Sequence, residues 1–358
     1  MRFATQRPQA SCRVPSRDVG FPTMIITAHA YARAGLVGNP SDGYFGKTIS
    51  FVIRQYAATV RLWESPNFEI LPTHGDFAKY DSVHAYLRDQ KLYGYYGGQR
   101  LMKAAVKRFF DYCDEHDCTF GDGVHEKNFT LQFETNIPRL VGMSGSSGII
   151  VATMRALCEF YNVQIPKPQF ATLVMRTETE ELSITAGLQD RVIQTYGGMV
   201  YMDFDRKLME RGYGDYEELK PEPAPPLYVA FDAERAEVSD VTHRNLRAAY
   251  NRGERDVVEA METYRGLTDR GKAALLSANW DELHKVMNEN FDLRKTIMPI
   301  AKENQRMIDV ARAAGASAKF AGSGGAITGV YHGEEQYRKL QAAMAEINCT
   351  VLKPKIWE

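Results

Sequence analysis

Pro138-Arg-Leu-Val-Gly142-Met-Ser-Gly-Ser-Ser-Gly148 runs directly into Ile149-Ile-Val-Ala-Thr-Met-Arg-Ala-Leu-Cys-Glu-Phe-Tyr161. Three glycines and three serines fall between Gly142 and Gly148, and no bulky side chain intervenes between Met143 and Ile149. Behind them Ile150, Met154, Leu157 and Tyr161 recur at helical spacing, and Ala152 and Ala156 are small enough for close packing, so the spacing predicts a buried helix. A glycine-rich loop that opens a helix is an anion site in physical terms. Its N–H groups are unpaired, the helix dipole adds partial positive charge, and glycine lets backbone approach a phosphate. The serine hydroxyls could add hydrogen bonds or a magnesium ligand. The competing reading is an ordinary loop with a serine N-cap.

Upstream, Phe129–Glu134 alternates apolar and polar residues and reads as a half-buried strand. An amphipathic helix is expected over about 99–115, with Leu101, Ala105, Phe109 and Tyr112 on one face. A short helix is expected near 81–89, and Gly94-Tyr-Tyr-Gly-Gly98 reads as an aromatic loop suited either to a packed turn or to stacking on a sugar. Earlier still, Gly43-Tyr-Phe-Gly-Lys-Thr48 invites a P-loop reading. That reading fails because Ser41 stands where the motif needs glycine, and because 49–63 is β-branched and aromatic rather than helical. Residues 32–48 are therefore expected to be a polar loop between strands, with Arg33, Asp42 and Lys47 as its charged members. A strand opens at Ile25. Residues 1–23, with Arg2, Arg7, Arg13 and Arg17 against Asp18 and no apolar stretch, read as a disordered leader or extension, with a transit peptide or an upstream start codon as alternatives.

Downstream, a helix is expected over about 169–182. Ala171, Val174, Met175 and Glu178 share its face, and a carboxylate on an apolar stripe needs a partner. Asp190 follows Gly187 at a helix start, and Met199–Phe204 is a strand. Residues 206–226, charged and rich in proline, read as a connector between two domains, 24–205 and 227–358. After a strand at Leu227–Phe231, helices are expected to about 314 with breaks near 267–269 and 279. A glycine turn at Gly322–Gly325, a strand, a helix over 334–347 and a last strand over 350–356 complete an α+β pattern.

The 358 residues suit about two domains, and 44% apolar with 25% charged content is ordinary for a globular protein. A net charge of −1 favours neither nucleic acid polymers nor anionic membranes as partners. Five scattered cysteines suit a reducing, cytoplasmic setting, and eight histidines form no metal-binding pair, so a transition-metal site is not expected. No apolar run reaches 18 residues.

The three glycine-rich stretches, taken in order, resemble the three motifs of the GHMP small-molecule kinases. The first is Arg33 to Asp42, the second Pro138 to Gly148, the third Gly322 to Gly325. Within that superfamily the chain resembles the glucuronokinases through GNPSDGYFGKTISF, GYYGGQRL, TNIPRLVGMSGSSG, AGLQDRVIQTYGGMVYMDF, MNENFDLR and KFAGSGGA. The resemblance spans about residues 25–356. It implies a two-domain α+β fold, with an N-terminal domain like the second domain of ribosomal protein S5 and a ferredoxin-like C-terminal domain. It implies transfer of the γ-phosphoryl group of ATP, with Mg²⁺, to the C1 hydroxyl of a uronic acid, another sugar being the alternative acceptor. Carried over position by position, Asp190 is the catalytic base and Arg33 its neighbour. Gly142, Ser144, Gly145, Ser146, Ser147 and Gly148 wrap the phosphates. Ser147 and Glu178 hold the metal, with Glu181 as the alternative carboxylate. Asn39 and Asp42 lie where sugar hydroxyls are held, and Gly324 and Gly325 close the site. Arg33 would keep Asp190 ionised. A substrate carboxylate needs a cation, for which Arg139, Arg294, Lys47 and Arg100 are all candidates. The chain departs from the family pattern at Gly148, where alanine is usual, and at Ala32, where many members have proline. The partners implied are a sugar acid and ATP, for a monomer or homodimer.

Two other classes stay open on the residues alone. One is a nucleotide- or sugar-binding protein without turnover, against which Asp190 and the acidic helix end argue. The other is a dehydrogenase built on Gly142-x-x-Gly145-x-x-Gly148, which lacks the required glycine spacing and ribose-binding acid.

Overall fold

The computed structural model describes residues 24–73, 97–116, 118, 127–232 and 240–358, with backbone alone for 240–245. The leader at 1–23, the short helix near 81–89 and the Gly94–Tyr96 part of the aromatic loop lie outside the described residues.

Two antiparallel strands form the spine: β1 (Ile25–Val37) and the 18-residue β2 (Lys47–Glu64), joined by a single helical turn at Ser41–Tyr44. β2 also pairs antiparallel with β4 (Phe129–Thr135) along its second half and with β5 (Met199–Asp203) along its first. A two-residue strand β3 (Glu69–Ile70) and β6 (Asp215–Leu219) form the edges of this six-stranded sheet. Two helices, α1 (Gly98–Glu115) and α2 (Gly145–Phe160), pack together on it, with α2 against β1 and β2. Alanines make that approach possible: Ala30, Ala32 and Ala34 on β1 are buried, as are Ala152 and Ala156 on α2.

β1 changes character along its length. Ile26, Ala28 and Ala30 are buried in alternation, as expected for a sheet with one covered face, but from Ala32 to Val37 every residue is buried. The second domain supplies the extra cover: the Gly35 N–H donates to the Ala321 carbonyl at 2.7 Å. Residues 32–37, expected in a loop, are therefore strand, because both faces find apolar partners.

The next elements are α3 (Lys167–Arg176), a wider turn of π type at Thr177–Glu181, α4 (Leu188–Tyr196) and the short α5 (Arg206–Met209). The 206–226 stretch carries α5 and β6 rather than coil alone. In β6 the charged residues face outward while Leu219 is buried, and β6 pairs with β5. A second, four-stranded sheet has the order β10 (Thr350–Leu352), β7 (Leu227–Phe231), β9 (Ala326–Val330), β8 (Lys319–Phe320). Its helices are α6 (Asp240–Asn251), α7 (Arg255–Leu276), α8 (Trp280–Ile297), α9 (Lys302–Ala313) and α10 (Gly333–Ala345).

α7 runs unbroken through 267–269, where Thr-Asp suggested a new helix start. Thr268 is buried and its hydroxyl donates back to Tyr264 O at 2.7 Å, so packing overrides the capping signal. The last strand is shorter than expected. Beyond Leu352 the chain crosses to β2, where Arg54 N–H donates to Lys355 O at 2.9 Å and Gln55 exchanges bonds with Lys353 and Lys355. The main apolar core ignores the domain division: Ala34 and Leu62 of the first sheet belong to one contiguous cluster with Val229, Phe231 and Val330 of the second. No described helix is long and apolar enough to cross a membrane.

Candidate active site

A cleft of about 960 Å³ lies between the two sheets, bounded by the start of α2, the start of α4, the 39–44 turn and the 322–323 turn. Its wall at α2 is backbone. Leu140, Gly142 and Ser144 all take left-handed conformations, and Ser144 is the residue that precedes the helix. A Cβ on Gly142 would lie 2.7 Å from the Gly324 carbonyl, and one on Gly322 would overlap the Gly142 carbonyl. The second and third glycine stretches thus touch backbone to backbone, which only glycine allows. Gly142, Ser144, Gly145 and Ser146 face the cleft, and the first N–H groups of α2 open toward it. Ser147 and Gly148 lie behind that wall. Ser147 is fully buried, with its hydroxyl 3.3 Å from Ser144 O. Gly148 packs against Ala58 and Gln194, where an added methyl would be crowded. From the other side Gly322 and Ser323 line the cleft. Gly324 and Gly325 sit one step back, Gly325 against Val141.

Asp190, in the first turn of α4, is engaged from three sides. Arg33 Nε donates to its Oδ1 at 2.6 Å and Ser144 Oγ to its Oδ2 at 2.7 Å. Arg191 Nη1 lies 3.4 Å from Oδ2. Burial alone would push this carboxyl up, but Arg33, Arg191 and the two hydrogen bonds outweigh it and hold Asp190 down at about 2. Arg33 does more than pair: its Nη1 also donates to the carbonyls of Gly142 and of Ala321, at 3.1 Å for the latter. One side chain thereby ties the base position to both glycine stretches.

Glu178 lines the cleft and is fully buried. The π turn places it where Arg191 donates to Oε2 from Nε at 2.7 Å and from Nη2. Its Oε1 is buried with no hydrogen-bond partner among the described residues. Such an orphaned carboxylate oxygen at a phosphate-shaped wall suits a hard cation. Glu181 instead pairs with Lys107 outside the cleft.

Asp42 lies close enough to Asp190 to feel its charge and contrasts with it. Its carboxylate accepts from the Gln189 N–H and sits so close to Gly187 that a side chain there would overlap it. Burial and the charge of Asp190 raise it to about 6, only partly offset by that N–H, Arg33 and Arg191. Asn39 is 5% exposed and held from behind: Lys319 Nζ donates to its Oδ1 at 2.5 Å, to Gly35 O at 2.7 Å and to Phe320 O at 2.7 Å. Among the described residues Lys319 is buried without a carboxylate partner. Burial pushes its pKa well below the usual lysine range, and the charges of Arg294 and Arg33 push it further.

The four cations offered for a substrate carboxylate separate by position. Lys47 is tied to Asp269 at 2.9 Å and Asp203 at 3.6 Å, and Arg100 donates to Leu182 O. Neither lines the cleft. Arg139 lines it from an exposed position and has an interaction of its own. Arg294 lines it while 3% exposed, donating to Gly322 O at 3.1 Å and Ser323 O at 3.2 Å above the Phe320 ring. Two cleft residues, Arg191 and Arg247, and Lys319 behind Asn39 carry no signal in the sequence. Arg191 is adjacent to Asp190 and unremarkable in type, Lys319 heads a motif read for its glycines, and Arg247 comes from a surface-like helix.

Residues 100–198 match the GHMP kinases N terminal domain. Glucuronokinase 1 of Arabidopsis thaliana is 39% identical over 314 residues, covering 86% of this chain and 85% of that protein. Probable glucuronokinase 2 of the same plant is 41% identical over 328 residues, covering 89% and 87%. Among solved structures, Lactococcus lactis galactokinase complexed with galactose superposes with a TM-score of 0.72 at 14% identity, over 94% of this chain and 95% of that one. That likeness carries the fold, and the two plant relatives carry the family. With its glycine-walled cleft between two α+β sheets, the chain belongs to the glucuronokinase family of the GHMP kinases.

Proposed function

We propose that the chain transfers the γ-phosphoryl group of ATP to the anomeric C1 hydroxyl of D-glucuronate, giving glucuronate 1-phosphate. The observation that carries the reading is Asp190, kept ionised between Arg33 and Arg191 at the foot of a backbone-walled cleft. The similarity of about 40% to two glucuronokinases supports the choice of sugar acid.

In this reading the N–H groups around Gly142–Ser146 receive the phosphates. Glu178 Oε1 would hold Mg²⁺, which when bound neutralises phosphate charge, whereas Ser147 would have to turn its hydroxyl away from Ser144 O to join it. Arg191 fixes the rotamer of Glu178 and the charge of Asp190 together. A carboxylate as acidic as Asp190 is a weak base toward a resting hydroxyl. It therefore orients the C1 hydroxyl and takes the proton late, as the oxygen–phosphorus bond forms. Asn39 and Asp42 meet the sugar hydroxyls. We place the ATP-binding domain at 24–205 and the second domain at 227–358, and assign the protein to the cytoplasm from its free thiols.

The test is ATP consumption with glucuronate, galacturonate, galactose and a heptose phosphate, alongside Asp190→Ala. Turnover on glucuronate that needs Mg²⁺ and falls about 10³-fold in the variant, with nucleotide affinity retained, is the expected result. Turnover on another sugar alone would reassign the acceptor. Nucleotide binding without turnover on any of them would replace the enzyme by a binding protein.

A further inference from the structure

We infer that Arg247 is the residue that recognises the carboxylate of the sugar acid, an assignment that rests on the reading above. Among the described residues five arginines line the cleft: Arg33, Arg139, Arg191, Arg247 and Arg294. Arg33 and Arg191 are committed to Asp190 and Glu178. Arg294 is committed to two carbonyls of the third glycine turn, and Arg139 has its own interaction. Arg247 alone makes neither hydrogen bond nor ion pair among the described residues. Its guanidinium lies over the Tyr44 ring, 4.5 Å from the centroid. Stacking fixes the plane of the group and leaves its edge, where the N–H donors are, pointing away from the ring.

The surroundings are arranged to hold that plane. On α6, Leu246 and Ala249 are buried, so the helix is anchored. Arg247 and Tyr250 are three residues apart and both meet Tyr44, whose ring lies 4.9 Å from that of Tyr250. Tyr250 Oη also donates to Tyr44 O at 3.4 Å. Opposite, Gly43 has no side chain, and a Cβ there would come within 2.8 Å of Arg247 Nη2. The turn that presents Asp42 to the sugar therefore leaves room for a guanidinium beside it. Asp42 does not absorb this charge: its partner is the Gln189 N–H, and the cations that bear on it are Arg33 and Arg191.

Position supports the same occupant. In the pyranose ring of a uronic acid the carboxylate is carried on C5, which is joined to C1 through the ring oxygen, so it sits a few ångströms from the C1 hydroxyl. Asp42, whose carboxyl feels the charge of Asp190, adjoins Gly43 beside the Arg247 guanidinium, so a carboxylate that close to a C1 hydroxyl at Asp190 comes within reach of Arg247. A planar fork meets a carboxylate with two parallel bonds, whereas a neutral hydroxymethyl group gains nothing from it.

The experiment compares kcat/KM for D-glucuronate with that for D-glucuronamide, which keeps the shape and removes the charge. Wild type, Arg247→Lys, Arg247→Met and Arg294→Met are measured side by side. The expected result is a glucuronate-to-glucuronamide ratio that falls about 10- to 100-fold in Arg247→Met. Arg247→Lys, which keeps the charge and loses the fork, should fall between the two and guards against a folding defect. A ratio unchanged in Arg247→Met, or abolished instead by Arg294→Met, overturns the assignment while leaving the kinase reading intact. Wild type inert toward glucuronate but active on another sugar overturns the reading itself.

Discussion

At the α2 end of the cleft the groups that face the reaction are backbone N–H donors and buried ion pairs. At the 39–44 end they are side chains drawn from a turn and from α6, with Lys319 of β8 behind them. The first end has its charges cancelled in place: Asp190 lies between Arg33 and Arg191, and Glu178 against Arg191. The second end is left uncompensated. Asp42 is pushed up to about 6, Lys319 is buried without a counter-charge, and Arg247 has no ion pair among the described residues. The difference follows from what each end receives. A polyphosphate arrives with its own charge and geometry, and preorganised backbone suffices. A sugar acid must be told from neutral sugars, and unpaired polar groups penalise the wrong ligand by leaving themselves unsatisfied.

The sharpest way to break this contrast is Arg33→Met. It should lower kcat about 100-fold on every acceptor, because the carboxylate loses its orienting partner and both glycine stretches lose a tie. The sign of the pH effect is also set. Asp190 is held near 2 partly by Arg33, so removing that cation raises its pKa. The acidic limb of the kcat profile should move toward neutrality, read by steady-state rates from pH 4 to pH 8. A limb that stays in place would mean Arg191 alone sets the charge.

Lys319→Met acts on the sugar side. It removes three hydrogen bonds and frees Asn39, so KM for the sugar should rise about 10-fold with KM for ATP little changed. An equal rise in both would erase the distinction between the two ends.

Asp42→Asn gives the smallest effect and one of opposite sign. A carboxyl whose pKa is raised from 3.8 to about 6 in the folded protein favours the fold below pH 3.8 and loses that contribution as pH climbs through 6. At pH 7.5 the ionised, buried form is a cost. The amide should therefore raise Tm by a few degrees at pH 7.5 and by less at pH 4.5, while weakening sugar binding. Calorimetry at the two pH values checks it.

The first end was legible in the sequence because backbone chemistry leaves a compositional trace. Gly142 and Gly322 have no side chain since their backbones touch, and the serines mark a helix start. Strand β4, helix α1 and the burial of α2 were legible by periodicity for the same reason, each obeying a local rule. The second end was not. Arg247 sits on a helix whose charged residues look like any solvated face, and only the meeting of α6 with Tyr44 gives it a role. Lys319 reads as a strand-edge lysine until β1 closes over it. Residues 32–37 and 267–269 depart from the local reading because tertiary contacts, with Ala321 for one and from the buried Thr268 hydroxyl to Lys47 O for the other, outweigh the local turn and capping signals.

The single apolar cluster that runs from Ala34 and Leu62 into Val229, Phe231 and Val330 bears on how the protein comes apart. A cut in the proline-rich stretch at 220–226 looks harmless on paper, yet it would strip each half of the surface that keeps its interior dry. The two halves therefore melt together in one transition, and neither is an exchangeable module from which a hybrid kinase could be assembled.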